Sequence, residues 1–412
     1  DLGRRYLEAA ARVRALEGTR DPEAAERPAS GESARPQDVR AARLELQSVV
    51  DEIRSVPGHE RFLCPPEFGD LAALASEHPA VYVTATAVGG LALVLTPDGE
   101  VAAHWLPRLD DRSLRERLVD YFRAYFEQEQ AEGPWLEAIE RITRWLWDAV
   151  MEEVVEATTP ATRVVLVPSG WLGLLPLHAA WTEAGGGRRY VLDDRCVTYA
   201  PNLGSYGLAT ARAAAAASDG ALVVEDPQPV SAIPLTYARI EARAVVAAFP
   251  EHRHLPGGKA THERVLAALG EHPVLHFACH GATDSEEPLD SALYMANDEP
   301  LTVRDFFEAR LTGARLAVLS ACESGMIGVE LPDEVVGLPA ALMQAGVPGV
   351  VGSLWPVSDV STMSLMKRFY ELWREEGKEP ALALQDAQRK LREGDGEFAH
   401  PFHWAAFAYV GA

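Results

Sequence analysis

Two apolar stretches of the chain decide its fold: Val274-Leu-His-Phe-Ala-Cys-His-Gly281 and Leu316-Ala-Val-Leu-Ser-Ala-Cys-Glu-Ser-Gly325. Each begins with a short run of apolar residues, which is typical of a buried strand. Each then ends in a reactive side chain, His280 in the first stretch and Cys322 in the second. Because parallel sheets carry their functional groups at the carboxyl ends of the strands, we expect both residues at one edge of one sheet.

The residues on either side of these stretches alternate between strand and helix patterns from position 163 to the end. The strand patterns cover 163–167, 221–224, 274–278, 316–320, 350–354 and 404–410, and the helix patterns cover 239–249, 263–269, 334–344, 362–376 and 381–392. Such alternation predicts an α/β fold with a mostly parallel sheet that helices cover on both faces.

The first part of the chain has a different pattern. Apolar residues recur at helical spacing from Leu2 and again from Pro36, with a polar stretch between them that we interpret as a mobile linker. The helices could be the end of a repeat array, although one pair does not establish a period. Residues 81–95 read as a β-hairpin, and Ser113 to Glu116 as the capping box of a helix that reaches about residue 130. Another helix pattern runs from Pro134 to about residue 157.

These patterns predict three segments. Residues 1–60 form a helical segment with the linker, 61–215 hold the hairpin, helices and a first non-catalytic half, and 216–412 hold the catalytic half. The chain begins with Asp1 and not with Met, so we expect it to be a piece of a longer protein.

The composition excludes several classes of function. The 412 residues carry 38 Lys and Arg against 61 Asp and Glu, a net charge of −23, which repels nucleic acid and anionic lipid. We therefore expect neither a nucleic acid nor a membrane as a partner. Four scattered cysteines cannot form a disulfide framework, and this favours a cytoplasmic location.

The pairing of His280 with Cys322 points to nucleophilic catalysis. A thiol becomes a good nucleophile as the thiolate, and a nearby imidazole both favours that form and can protonate a leaving amine. The alternative is that both residues are ordinary members of an α/β core, which composition alone favours. His276 has the parity to share the strand face of His280, and a hydrogen-bonded core imidazole is the favoured interpretation for it.

The order of motifs along the chain favours catalysis over the interpretation of His280 and Cys322 as core residues. His-Phe-Ala-Cys-His-Gly and Leu-Ser-Ala-Cys-Glu-Ser-Gly resemble the paired catalytic motifs of the CHAT family of caspase-like cysteine peptidases, relatives of caspases and separase. Further segments resemble that family in the same order, at 165–176, 197–201, 258–261, 333–338, 345–346, 353–359 and 403–407. The resemblance covers the chain from about Trp135 to its end. The region before it resembles, more weakly, the part that links the peptidase to tetratricopeptide repeats.

The resemblance implies a caspase-like fold and a cysteine endopeptidase. Cys322 would be the nucleophile, His280 the general acid and base, and the amides of Gly281 and Cys322 the oxyanion hole, with no metal or cofactor needed. A protein substrate is implied. We also expect gating by an activating partner or by a tetratricopeptide repeat region, because a constitutive protease would be harmful and because the apolar stripe of the first helix predicts a docking partner. The alternative is a catalytically silent caspase-like scaffold that binds partners, because fold analogy predicts a fold better than an activity.

The resemblance also suggests a substrate preference. In separase a similar Leu-Trp segment carries an acidic residue that receives an arginine, and Asp359 matches that position. We expect Asp359, Asp284 and Glu323 to bind the substrate and to favour a basic residue before the scissile bond, Arg over Lys. The alternative is that Asp359 merely caps the helix that begins near Ser361.

Overall fold

The computed structural model describes residues 2–17, 36–64, 66–128, 132–284, 287–321, 337–394 and 396–412. These residues fall into two compact units, Asp1–Glu67 and Phe68–Ala412. The division of the chain into 61–215 and 216–412 stays a prediction.

The first unit is a pair of antiparallel helices, α1 (Leu2–Glu17) and α2 (Pro36–Arg54). Two ion pairs show that the helices are antiparallel: Arg5 pairs with Glu52 at 2.6 Å, and Arg12 pairs with Glu45 at 2.7 Å. As the residue number rises along α1, the number of its partner on α2 falls. Apolar side chains of both helices are buried, among them Ala9, Val13, Ala42, Val49 and Ile53. The apolar stripe of α1 therefore packs on α2, so it gives no reason to expect a separate docking partner.

The second unit contains the remaining helices and all of the described strands. Its helices are α3 (Phe68–Leu74), α4 (Asp111–Phe126), α5 (Glu132–Leu146), α6 (Glu152–Ala157), α7 (Val191–Asp194), α8 (Leu203–Ala215), α9 (Ala238–Ala248), α10 (His262–Ala268), α11 (Val303–Glu308), α12 (Leu338–Ala345), α13 (Asp359–Tyr370), α14 (Pro380–Glu393) and α15 (Pro401–Trp404). A π-helical turn, Trp147–Met151, joins α5 to α6, and another, Glu371–Glu375, extends α13.

The strands of this unit are mostly short and buried. They are β1 (Ala80–Thr86), β2 (Gly89–Leu95), β3 (Val101–Leu106), β4 (Arg163–Pro168), β5 (Trp181–Ala184), β6 (Gly187–Tyr190), β7 (Cys196–Tyr199), β8 (Ala221–Glu225), β9 (His252–Pro256), β10 (Val274–Ala278), β11 (Gly281–Ala282), β12 (Ala292–Met295), β13 (Glu299–Thr302), β14 (Leu316–Ser320), β15 (Gly349–Ser353) and β16 (Phe407–Gly411).

Eleven of the described strands form one sheet in the order β3-β2-β1-β4-β7-β16-β15-β14-β10-β8-β9. Its centre is mostly parallel, while β1, β2 and β3 are antiparallel and β16 runs antiparallel to β15. One apolar cluster packs residues of α4, α5, α9, α13 and α14 on one face of the sheet, and a second packs residues of α8, α10, α11 and α12 on the other. The predicted mostly parallel α/β sheet with helices on both faces is confirmed.

The predicted hairpin at 81–95 is confirmed by the antiparallel pair β1 and β2. The sequence did not predict the third strand, β3, whose exposed residues give little burial signal. Two local expectations were wrong. Helix α4 is capped by the Asp110 side chain, which accepts from the backbone N–H groups of Arg112 and Ser113, so Ser113 lies inside the helix. The predicted last strand at 404–410 begins only at Phe407, because Pro401 starts the short helix α15.

Candidate active site

The sheet edge that carries the candidate residues is formed by four parallel neighbours, β8, β10, β14 and β15. Ala278 at the end of β10 and Ser320 at the end of β14 are register partners. His280 stands two residues after Ala278, and Cys322 stands two residues after Ser320 in the sequence. Cys322 and the adjacent Glu323 lie outside the described residues.

His280 lies just beyond the buried strand β10 and is partly exposed. Its ring Nε2 lies 2.9 Å from the backbone carbonyl oxygen of Ile233. A carbonyl oxygen can only accept a hydrogen bond, so Nε2 is the protonated ring nitrogen when the imidazole is neutral. The other ring nitrogen, Nδ1, is then the one that can accept a proton.

Ile233 belongs to the loop between β8 and α9, residues 226–237, which hydrogen bonds hold at several points. Ser231 donates two hydrogen bonds to the Asp298 carboxylate, from its amide at 2.8 Å and from its hydroxyl at 2.7 Å. The amide of Asn297 donates to the Pro229 carbonyl at 2.7 Å. These bonds hold the loop two and four residues before Ile233, whose carbonyl contacts the His280 ring.

Gly281 follows His280 and opens strand β11, which pairs antiparallel with β12. The amide of Tyr294 donates to the His280 carbonyl at 2.9 Å, and Gly281 is the register partner of Leu293. Bonded and non-bonded pairs alternate along an antiparallel ladder, so the Gly281 amide faces away from β12.

Asp359 is the first residue of α13, and its carboxylate reaches the β8–α9 loop. Its Oδ2 accepts a hydrogen bond from the amide of Tyr237 at 2.7 Å. The N-cap of α13 is Ser358, so Asp359 is not the capping residue. Burial raises the pKa of the Asp359 carboxyl, the Tyr237 N–H opposes that rise, and the negative charges of Glu241 and Asp226 add to it.

A cavity opens beside Asp359, with an empty volume of about 410 Å³. It lies at the carboxyl ends of β10, β14 and β15. Its polar lining consists of Glu241, Ser320, Ser353, Asp359 and Thr362, and its apolar lining consists of Leu235, Ala238, Ala278, Cys279, Ala321, Val357 and Phe407.

Asp284 lies elsewhere in the neighbourhood of His280, on the loop after β11. Its amide donates to the Ser291 hydroxyl at 2.9 Å, and its carboxylate accepts from the Glu287 amide at 2.9 Å. Asp284 is exposed and is not among the described residues that line the cavity. The structure therefore brings Asp359 to the cavity beside β10 and β14 but leaves Asp284 in the outer loop.

Two of the polar residues lining the cavity, Glu241 and Ser320, were missed in the sequence. Glu241 occupies the apolar face of α9, in step with the buried residues Ala238, Ala242 and Val245. A carboxylate on an apolar helical stripe is unusual, so this spacing was a usable signal. The role of the Ile233 carbonyl has no comparable signal, because every residue has a carbonyl group.

Metal and membrane features were searched in the part of the chain that the structure describes. No three side chains of His, Cys, Asp or Glu come together there as a metal site would require. None of the helices described above combines the length and the hydrophobicity that a membrane span requires.

Known proteins give two kinds of similarity. Residues 140–412 match the family model of the CHAT domain. Among curated proteins, tetratricopeptide repeat protein 28 of Mus musculus is 26% identical over 195 residues, and the human protein of that name is 24% identical over 193 residues. Each match covers 38% of this chain and 8% of the relative.

Among solved structures, the separase-securin complex of Saccharomyces cerevisiae gives a TM-score of 0.59 at 10% identity. The similarity covers 93% of this chain and 34% of that chain, and at this identity it shows a shared fold. The caspase-like fold expected from the motifs is thereby confirmed. Because the family model spans most of the chain and includes both sheet-edge motifs, the chain belongs to the CHAT domain family.

Proposed function

We propose that the chain is a cysteine endopeptidase in which Cys322 is the nucleophile and His280 is the general acid and base. The observation that carries the proposal is the common register of β10 and β14, whose last residues, Ala278 and Ser320, are paired. His280 and Cys322 follow these paired residues at the same distance in sequence. Membership of the CHAT domain family supports the proposal.

The other described cysteines are poor candidates for the nucleophile. Burial raises the pKa of the Cys196 thiol to about 12, so it is protonated at neutral pH. Cys279 is buried in the apolar core. Cys64 is exposed, but it belongs to the first unit and not to the unit that contains the sheet.

The hydrogen bond to Ile233 supports the role of His280. It keeps the proton on Nε2, which leaves the lone pair of Nδ1 free to take the proton of the Cys322 thiol. The thiolate sulfur then forms a bond to the substrate carbonyl carbon. When the C–N bond breaks, the Nδ1 proton passes to the leaving amine, and a water molecule deprotonated by His280 hydrolyses the thioester.

The orientation of the Gly281 amide supports an oxyanion hole. It faces away from β12, so it can donate to the negative oxygen of the tetrahedral intermediate together with the amide of Cys322. Glycine at position 281 lets the substrate backbone come close without meeting a Cβ atom.

The cavity beside Asp359 supports a basic residue before the scissile bond. Asp359 and Glu241 line the cavity, and none of the described lining residues is Lys or Arg. An arginine side chain would meet a carboxylate with which its planar guanidinium forms a charge-assisted pair, whereas lysine offers only a point charge. We assign no substrate contact to Asp284, because it lies outside this lining. The role of Glu323 stays a prediction.

We also propose that a protein partner or an attached repeat region gates this activity. Two relatives support this: one is named for tetratricopeptide repeats, and another was solved in complex with securin. The test compares cleavage by this chain alone with cleavage in the presence of a candidate protein partner or of an attached tetratricopeptide repeat region. Equal rates that no binding partner changes would contradict gating.

The peptidase itself is tested with an arginyl peptide that carries an electrophilic ketone. We expect mass spectrometry to find the label on Cys322, and we expect the variants Cys322→Ala and His280→Ala to lose labelling. Cys64→Ala is the matched control, because it removes the exposed thiol and leaves the site intact. Equal labelling of Cys64 and Cys322 would favour the alternative of a silent scaffold.

A further inference from the structure

Two buried polar side chains in the cavity beside Asp359 have no assigned role. Glu241 is 2% exposed and Ser320 is 7% exposed. Among the described residues, neither Oε1 of Glu241 nor Oγ of Ser320 has a hydrogen-bond partner. A buried acceptor without a donor costs free energy, so such a group in a native structure calls for an explanation. Because both side chains line the same cavity, a ligand that donates hydrogen bonds there would satisfy both.

Glu241 is held in place by a second buried residue, His276. Its Oε1 lies 3.1 Å from Nε2 of His276, a close polar contact. His276 is 0% exposed, and its Nδ1 lies 3.1 Å from the Tyr370 hydroxyl. Since these residues belong to α9, β10 and α13, three packed elements fix the carboxylate. This arrangement is typical of a pre-organised binding group.

The charge around the cavity selects the kind of ligand. Asp359 and Glu241 both line it. Burial raises the pKa of the Asp359 carboxyl, and the negative charges of Glu241 and Asp226 raise it further. Like charges in a partly desolvated site repel each other, so a cation that enters the cavity lowers this repulsion. Anionic and purely apolar ligands gain nothing from this arrangement.

We propose that Glu241 and Ser320 are specificity-determining residues that complete a guanidinium site with Asp359. A guanidinium carries five N–H donors in a planar fork. Oδ2 of Asp359 already accepts from Tyr237, so one carboxylate cannot satisfy the fork alone. The Glu241 carboxylate, beyond its contact with His276, and the unpartnered hydroxyl oxygen of Ser320 supply further acceptors. This inference rests on the proposed function, since the guanidinium would belong to the residue before the scissile bond.

The test measures the binding of agmatine, a guanidinium on a four-carbon chain, to the whole chain by titration calorimetry. Because a charged hydrogen-bond partner is lost, we expect Glu241→Gln to weaken binding about tenfold or more, and Ser320→Ala to weaken it about threefold. Glu263→Gln is the matched control, because Glu263 is an exposed carboxylate in the first turn of α10. The control should bind agmatine as the wild type does.

The outcomes separate this inference from the proposed function. Agmatine binding that is lost in Asp359→Asn but unchanged in Glu241→Gln and Ser320→Ala would overturn the inference and leave the peptidase standing. The predicted losses in a chain that cleaves no peptide would support the guanidinium site and contradict the peptidase. If Glu241→Gln fails to fold, Ser320→Ala decides, because it removes a single oxygen atom. No binding of agmatine to the wild type would overturn the inference.

Discussion

The ring of His280 is held by the backbone of Ile233, whose carbonyl oxygen lies 2.9 Å from Nε2, 47 residues away in sequence. A backbone carbonyl carries no charge, so it orients the imidazole without fixing a proton on it as strongly as a carboxylate would. The position of the Ile233 carbonyl depends on the β8–α9 loop and not on the side chain of Ile233, which is exposed. The orientation of the His280 ring, the proposed base, therefore depends on the β8–α9 loop.

The first prediction concerns the proposed dyad. His280→Ala and Cys322→Ala should each abolish cleavage of a peptide substrate. His280 lies at the partly exposed sheet edge, so its loss should leave the fold intact and shift the melting temperature by only a few degrees. The measurements are peptide turnover and thermal unfolding of both variants. Turnover at the wild-type rate in either variant would show that the dyad is assigned wrongly.

The second prediction concerns the anchor of the β8–α9 loop. Asp298→Ala removes the acceptor for both hydrogen bonds from Ser231 and should let the Ile233 carbonyl move. We expect kcat to fall by about three- to tenfold with little change in KM, because a misplaced base slows chemistry more than binding.

Ser231→Ala and the double variant complete this experiment. Ser231→Ala removes only the hydroxyl bond, and Asp298→Ala already removes that bond together with the amide bond, so the double variant should be little slower than Asp298→Ala alone. Additive losses would mean that the two residues act separately and that this contact does not position His280.

How far the sequence predicts this molecule depends on burial. Strands β10 and β14 were predicted at the right residues because continuous apolar runs between polar ends leave few alternatives. Strand β3 was missed because most of its residues are exposed, so its pairing with β2 and not its hydrophobicity makes it a strand.

The site shows the same division between local and tertiary signals. Asp359 could be singled out from its motif, but its contact with Tyr237 comes from an element 122 residues away. The cap of α4 went to Asp110 and not to Ser113 because the better-placed carboxylate accepts both amides. Ile233 acts through a group that all residues share, so its role depends on tertiary structure alone.

The third prediction concerns Asp359. Asp359→Asn removes the charge but keeps an oxygen that can accept from Tyr237. We expect kcat/KM for arginyl substrates to fall about 10- to 100-fold, and that for leucyl substrates to stay unchanged. Fluorogenic peptides that differ only at the residue before the scissile bond provide the measurement. Equal turnover of Arg, Leu and Asp peptides by the wild type would contradict the preference.

The raised pKa of Asp359 adds a signature in stability. The folded state holds the proton of this carboxyl more tightly than the unfolded state, so its ionisation at neutral pH destabilises the fold. Asp359→Asn should therefore be as stable as the wild type or more stable at pH 7. The difference should vanish once the pH falls below about 3.9, the ordinary value for Asp, because both side chains are then neutral. A variant that is less stable at pH 7 would show a structural role for the charge.

The fourth prediction concerns His178, a buried residue between β7 and the C-terminal strand. Its Nδ1 lies 2.8 Å from the Tyr199 hydroxyl, and its Nε2 lies 3.0 Å from the Ala405 carbonyl. Burial lowers the pKa of His178 to about 4, and the bond to Ala405 opposes that shift. In the unfolded chain His178 has a pKa of about 6.5, so between pH 6.5 and pH 4 it binds a proton that it does not bind in the folded chain.

Stability should therefore be complete above pH 6.5 and should decline as the pH falls toward 4, by about 3 kcal/mol from this residue. Urea unfolding between pH 8 and pH 4 gives the measurement. His178→Phe should be less stable at pH 7, because the Ala405 carbonyl loses its partner and the Tyr199 hydroxyl keeps only the backbone amide of residue 178. Its stability should vary less with pH. His59→Gln, at an exposed histidine of the first unit, is the control and should follow the wild-type profile. A His178→Phe profile parallel to that of the wild type would assign the acid sensitivity to other groups.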